Sequence, residues 1–301
     1  MTVHRLLSAL LEPGLLASQP VHMAVLLGAV VALASGAVGV FTVMRGQSFA
    51  GHALGDVGTT GGSGAFLVGL SPLWGFVGMG IAAAGVMELL GVRRARGRDV
   101  ATGVVLGAAM GLAALFLYWD TTGHNTTGAT VTILFGSIFT IEPATEPVIV
   151  LFALCSVAIV VWLYRPLLLS SLSTEMAAAR GVSVRAVGVL YLLAMAVAVS
   201  LSSVTIGTIL STALLIGPAA TAMHLTKAPS RAIVCAGLLG VAATWLGILL
   251  AYDSYYWPPY GHGWPVSFFV VTVILAFYLI ARLPFVGRLA GRRRNPSPDV
   301  P

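Results

Sequence analysis

The sequence RGQSFAGHALGD, residues 45–56, separates two long apolar runs and carries three ionisable side chains. Arg45 ends the first run, and the second run extends to about residue 70. His52 and Asp56 stand four residues apart, so on a helix their side chains lie on one face. Ionisable groups within a membrane segment are costly and by default indicate a functional site. We therefore predict that His52 and Asp56 form one functional site, called the His52–Asp56 pair below.

The His52–Asp56 pair combines one nitrogen donor with one oxygen donor, a set that suits a divalent transition metal. In a dimer, two such pairs could meet at one axis. The resulting two nitrogen and two oxygen donors would suit Zn²⁺ or Mn²⁺. The residues alone leave one alternative open, namely a hydrogen bond, within the pair or to another helix, that only fixes packing.

The composition predicts an all-α integral membrane protein, a polytopic helical bundle. Of the 301 residues, 58% are hydrophobic and only 9% are charged, whereas about a quarter of an ordinary soluble domain is charged. The apolar runs are too long and too rich in glycine for the alternating strands of a membrane barrel. The net charge of +6 comes from short arginine clusters between apolar runs, as the positive-inside rule expects, so it does not indicate nucleic-acid binding.

The apolar runs predict eight or nine transmembrane helices in one domain, residues 21–283. Residues 1–20 are expected to lie at the membrane interface, and residues 284–301 to form a basic cytoplasmic tail. Residues 131–141 are too few to span a membrane, which takes about 20 residues. The predicted spans are 21–44, 49–70, 73–92, 100–119, 148–164, 186–204, 206–225 (interrupted by Gly217-Pro218), and the runs that end at 251 and 282.

Arginine clusters follow every second span after the first, so the N-terminus is predicted outside and the C-terminus inside. Acidic loops then face outward. Two pairs in these loops, Asp120 with His124 and Asp253 with His262, are candidate outer-mouth residues that could attract cations or bind a delivery protein. The alternative is that these four are solvated loop residues.

No phosphate-binding loop of the Gly-x4-Gly-Lys-Ser/Thr type is present in the sequence. The glycine-rich run from Gly58 to Gly64 has no lysine and fits close helix packing or local unwinding better. Any ATPase that drives transport is therefore expected to be a separate chain.

Four motifs, spread over residues 20–282, together resemble the permease subunit of the bacterial ABC importers for zinc, manganese and iron(II), the ABC-3 class. They are RGQSFAGHALGD (45–56), LFGS (134–137), the stretch from Glu175 to Gly181-Val182, and IGTIL…ALLIGPAATA (206–222). In the first motif His52 and Asp56 are exchanged relative to the family's order. In the second motif Ser137 replaces an acidic residue.

The resemblance implies a type II importer permease fold in the bacterial inner membrane and a dimer, most simply of two identical permeases. It also implies two cytoplasmic ATPase subunits and an external metal-binding protein. His52 and Asp56 match the metal-contacting positions, so a divalent metal would be the transported substrate and no cofactor would stay bound. The expected flexing points are Gly207, Gly217 and Pro218.

Residues 169–185 are expected to form the coupling segment that contacts the ATPase. Ser173 is a suitable helix N-cap and Gly181 a suitable C-terminal stop. The expected contacts are Glu175, Arg180, Gly181 and Arg185. An ordinary cytoplasmic loop is the alternative.

The preferred interpretation is therefore a metal-importer permease that is not itself an enzyme and alternates the His52–Asp56 pair between the two sides. One alternative is a permease for a metal chelate such as a siderophore or haem. Another is an ion-coupled carrier without an ATPase. An intramembrane metalloenzyme is disfavoured because no His-Glu-x-x-His signature occurs.

Overall fold

The computed structural model describes residues 19–89, 98–123, 128–136, 138–258 and 263–283. This part of the chain contains twelve α-helices, two short 3-10 turns at Pro143–Thr145 and Ser254–Tyr256, and no β-strand. The helices are α1 (Gln19–Met44), α2 (Ser48–Leu67), α3 (Pro72–Leu89), α4 (Arg98–Gly123), α5 (Gly128–Phe135), α6 (Glu146–Trp162), α7 (Tyr164–Leu172), α8 (Thr174–Ala179), α9 (Val184–Ile206), α10 (Thr208–Leu225), α11 (Pro229–Asp253) and α12 (Val266–Arg282).

The predicted all-α membrane bundle is confirmed. Among the described residues, five helices are long and apolar enough to cross a membrane, namely α1, α6 with the turn before it, α9, α10 and α11. Helices α3 and α12 are also apolar but shorter. The number of crossings, eight or nine, stays a prediction. Most of the interfacial segment (residues 1–18) and the basic tail (residues 284–301) lie outside the described residues.

Helices α1 and α9 form the centre of the bundle, and hydrogen bonds link them there. The hydroxyl of Tyr191, from α9, donates to the carbonyl of Val38 at 3.0 Å and lies 2.6 Å from the hydroxyl of Thr42. Farther along the same interface, the hydroxyls of Ser35 and Ser202 lie 2.8 Å apart. Within lipid, apolar helix faces have no hydrophobic driving force to associate, so hydrogen bonds and close packing hold membrane helices together.

The break between α9 and α10 lies at Gly207, and this corrects the prediction of an interruption at Gly217-Pro218. Helix α10 continues through Pro218 to Leu225. Membrane helices tolerate proline because neighbouring groups take up the freed carbonyl. Gly207 has φ of +97°, a left-handed conformation that glycine adopts without steric strain, and there the chain leaves one helix and enters the next.

Helix α5 confirms that residues 131–141 do not form a full span. Its eight residues, Gly128–Phe135, extend about 12 Å, well short of the roughly 30 Å hydrocarbon core. It ends at Gly136, which has φ of +82°. Gly136 packs directly on the break at Gly207: a Cβ atom at Gly136 would lie only 2.5 Å from the Gly207 nitrogen. The LFGS and IGTIL motifs thus meet in space, backbone against backbone.

Candidate metal site

The His52–Asp56 pair lies on α2, with the two side chains one turn apart. Nε2 of His52 is 3.4 Å from Oδ2 of Asp56. The side chain of His52 is 46% exposed and that of Asp56 is 19% exposed, so a ligand can reach both. With metal–ligand bonds of about 2.1 Å, this separation subtends an angle of about 110° at the metal, near the tetrahedral value. The separation is therefore compatible with one metal ion held by both atoms.

A third side chain, Thr212 of α10, contacts the imidazole from the other side. Its Oγ1 lies 3.1 Å from Nδ1 of His52. No sequence pattern by itself indicated Thr212 as a site residue. The available signal was its place inside the IGTIL…ALLIGPAATA motif, which had no role in the site until the structure brought it to His52.

Two glycines on α2 allow α10 to come this close. A Cβ atom at Gly51 would lie 2.8 Å from the Leu215 side chain, and one at Gly55 would lie 3.3 Å from Oγ of Ser211. Small residues four positions apart let two membrane helices approach closely. Since Gly51 and Gly55 flank His52 in the sequence, the helices meet at the level of the imidazole.

Within the part of the chain that the structure describes, the His52–Asp56 pair would form only part of a metal coordination shell. Across the described residues, no group of three or more His, Cys, Asp or Glu side chains is placed to hold a metal ion. Two large apolar side chains beside the pair are exposed, Phe49 by 47% and Ile209 by 53%. Each precedes a residue of the site by three positions, Phe49 before His52 and Ile209 before Thr212, so the pair lies in an uncovered apolar surface.

The structure corrects the placement of Asp120 in an outer loop and excludes, for this residue, the alternative of a solvated side chain. Asp120 belongs to the last turns of α4 and its side chain is only 3% exposed. It lines a cavity of about 840 Å³, which also borders Glu142 and the turn between α2 and α3. Of the other candidate outer-mouth residues, Asp253 is exposed at the end of α11, whereas His124 and His262 lie outside the described residues.

The predicted coupling segment contains a capped helix, α8, as the sequence indicated. Oγ of Ser173 accepts a hydrogen bond from the Met176 amide at 3.2 Å, and Gly181 has φ of +76°. Glu175 and Arg180 are exposed. Nε of Arg185, at the start of α9, lies 3.4 Å from Oε1 of Glu88 on α3, so the segment is tied to a second helix.

The predicted flexing points lie in closely packed surroundings. Gly207 packs on Gly136, and a Cβ atom at Gly217 would overlap the side chain of Ile274 on α12. Pro218 is buried inside α10. Movement at these positions stays a prediction.

The chain is similar to named membrane proteins of metal transport systems. It is 27% identical over 239 residues to the manganese transport system membrane protein MntC of Listeria monocytogenes, which covers 79% of this chain and 84% of that protein. It is 23% identical to the high-affinity zinc uptake system membrane protein ZnuB of Haemophilus influenzae, over 77% of this chain and 88% of that protein.

A solved structure, PsaBC from Streptococcus pneumoniae in complex with Fab, has a chain of the same fold, with a TM-score of 0.76. That alignment covers 90% of this chain and 93% of the other chain, at 23% identity. The model of the ABC 3 transport family matches residues 18–282, a range that includes every helix the structure describes. This multi-pass membrane protein therefore belongs to the ABC 3 transport family.

Proposed function

We propose that this chain is the permease subunit of an ATP-driven importer and that its substrate is a divalent transition metal ion, with Mn²⁺ and Zn²⁺ as first candidates and Fe²⁺ as a third. The observation that carries the proposal is the 3.4 Å separation of His52 Nε2 and Asp56 Oδ2 on an accessible face of α2. The names of the relatives, manganese and zinc transport proteins, support the same substrate class.

A second copy of the permease would complete the coordination shell. Two His52–Asp56 pairs facing each other provide two nitrogen and two oxygen donors, which suits Zn²⁺ or Mn²⁺. The same contact would bury the exposed side chains of Phe49 and Ile209. The dimer thus accounts for both the incomplete ligand set and the apolar surface around it.

Transport would proceed by alternating access. Two separate ATPase subunits bind at α8 and, by rocking the two permeases, open the pair to one side and then to the other. An external binding protein delivers the metal to the outer face. In this scheme the permease supplies metal ligands and a path, and ATP hydrolysis takes place on the partner chains.

Elemental analysis of whole cells tests the substrate. Cells that express this chain with its ATPase and binding protein are expected to accumulate one of manganese, zinc or iron above cells with an ATPase-inactive variant. The measurement is metal content per cell by mass spectrometry across a series of external concentrations. Unchanged content of all three metals, with the complex present in the membrane, would contradict the proposal and favour a metal chelate as substrate.

Cysteine cross-linking tests the coupling segment. Cysteine at Thr174 or Ala178, both exposed on α8, is expected to form a product with the ATPase in the assembled complex. The matched control is a cysteine at Ser71, in the turn between α2 and α3 on the predicted outer side. If neither α8 position gives a product while cysteines in other cytoplasmic loops do, α8 is not the coupling helix.

A further inference from the structure

A hydrogen bond joins Thr212 of α10 to the ring of His52 on the side away from Asp56. We propose that Thr212 is a positioning residue, which orients the His52 ring and accepts the hydrogen bond of Nδ1–H when a metal ion takes the lone pair of Nε2. This inference rests on the proposed function, because it concerns how the His52–Asp56 pair is kept ready to bind.

The chemistry of the imidazole makes the tautomer decisive. A neutral histidine carries its proton on one ring nitrogen and a lone pair on the other, and only the lone pair can bind a metal. If Nε2 carried the proton, it would point that proton at the Asp56 carboxylate, 3.4 Å away, and neither atom would be available to the metal. Metal binding at Nε2 therefore requires the proton on Nδ1, where it needs a hydrogen-bond acceptor.

Thr212 provides an acceptor for that proton. Its Oγ1 lies 3.1 Å from Nδ1 of His52 and can accept a hydrogen bond from a proton on that nitrogen. With the proton on Nδ1, the Nε2 lone pair faces the same space as Asp56 Oδ2. Partners of this kind, bound to the second nitrogen of a histidine ligand, orient the ring and strengthen metal binding.

The surrounding backbone keeps Thr212 in place. Its helix, α10, begins at Gly207, where the chain is held against Gly136 by backbone contact. One residue before Thr212, Ser211 faces Gly55 of α2, where an added Cβ atom would lie 3.3 Å from the serine hydroxyl oxygen. The threonine hydroxyl therefore comes from an element that is braced on two sides, which is what a positioning contact requires.

Two substitutions separate the hydroxyl from the shape of the side chain. Thr212→Val keeps the branched shape and removes the hydroxyl, and Thr212→Ser keeps the hydroxyl. In the full transporter, Thr212→Val is expected to raise the KM for Mn²⁺ uptake by about 10–100-fold, with a smaller effect on the maximal rate, whereas Thr212→Ser stays near the native KM. The control Thr244→Val removes a buried hydroxyl on α11, whose bond goes to the Gly240 carbonyl, and should leave the KM unchanged.

Titration of the purified complex with Co²⁺ gives a second readout, because the visible absorption of bound Co²⁺ depends on its coordination geometry. We expect weaker Co²⁺ binding in Thr212→Val and native binding in Thr212→Ser. If Thr212→Val does not assemble, Thr212→Ala replaces it under the same criteria.

Comparison with His52→Ala separates a failure of the Thr212 proposal from a failure of the proposed metal site. Native KM in Thr212→Val, with uptake abolished in His52→Ala, overturns the role of Thr212 and leaves the metal site standing. An equal loss in Thr212→Ser and Thr212→Val also overturns it, since packing would then be the cause. Native uptake in His52→Ala overturns both.

Discussion

His52→Ala and Asp56→Ala are each expected to abolish metal uptake while the transporter still assembles. Each substitution removes one of the two donors that a copy supplies at 3.4 Å separation, and in a dimer it removes two of four. Loss of a residue that merely orients a ligand typically lowers metal affinity or activity 10–100-fold, so loss of the ligand itself should lower uptake by at least about 100-fold. Both side chains are partly exposed, so alanine leaves no buried cavity.

The measurement is initial uptake of ⁵⁴Mn²⁺ or ⁶⁵Zn²⁺ by cells that contain equal amounts of assembled complex. The matched control is His22→Ala, which removes an exposed imidazole near the start of α1 and should leave uptake at the native level. Native uptake in both His52→Ala and Asp56→Ala would show that the pair only fixes packing.

Gly207→Ala is expected to destabilise the folded protein strongly. The backbone at Gly207, with φ of +97° and ψ of 155°, lies in a region essentially confined to glycine, and this alone costs a residue with a Cβ atom roughly 1–3 kcal/mol. The new methyl group would also overlap the backbone at Leu134 and Phe135, which cannot move aside as a side chain can. Overpacking adds roughly 1–3 kcal/mol, giving a total of about 2–6 kcal/mol. Gly136→Ala should have a comparable effect, since it meets the same crossing from the other side.

The measurement is the fraction of monodisperse protein that remains after heating in detergent, followed by size-exclusion chromatography. Gly46→Ala is the matched control, because Gly46 has φ of +63° but nothing within 4 Å of the new methyl group. Gly46→Ala therefore places a Cβ atom on a residue with positive φ but creates no overlap with other atoms. Equal thermal stability of Gly207→Ala and Gly46→Ala would mean that the crossing of α5 with the α9–α10 break contributes little.

Structural features that depend only on residues close together in the sequence were predictable. The apolar runs matched the helices to within a few residues, because a membrane requires backbone hydrogen bonds to be satisfied within each segment. The cap at Ser173 and the left-handed stop at Gly181 were also predictable, since each involves only the residues of one short helix.

Two sequence predictions failed for a common reason. Pro218 was expected to interrupt a helix, because proline usually does. Asp120 was expected to lie in a loop, because aspartate is usually found there when only its sequence neighbours are considered. The bundle surrounds both residues with other helices, and α10 continues through Pro218 while Asp120 is buried beside a cavity. Local propensity gives way when the neighbours of a residue come from distant parts of the chain.

By itself, the sequence determined the class of the protein and the His52–Asp56 pair, because a spacing of four residues on a helix sets the relation of two side chains with no help from elsewhere. Only the tertiary structure decided what completes that pair. Thr212 is 160 residues from His52 in the chain, and it reaches the imidazole because Gly51 and Gly55 let α10 approach α2. The contact depends on how two helices pack, and no spacing within either helix encodes it.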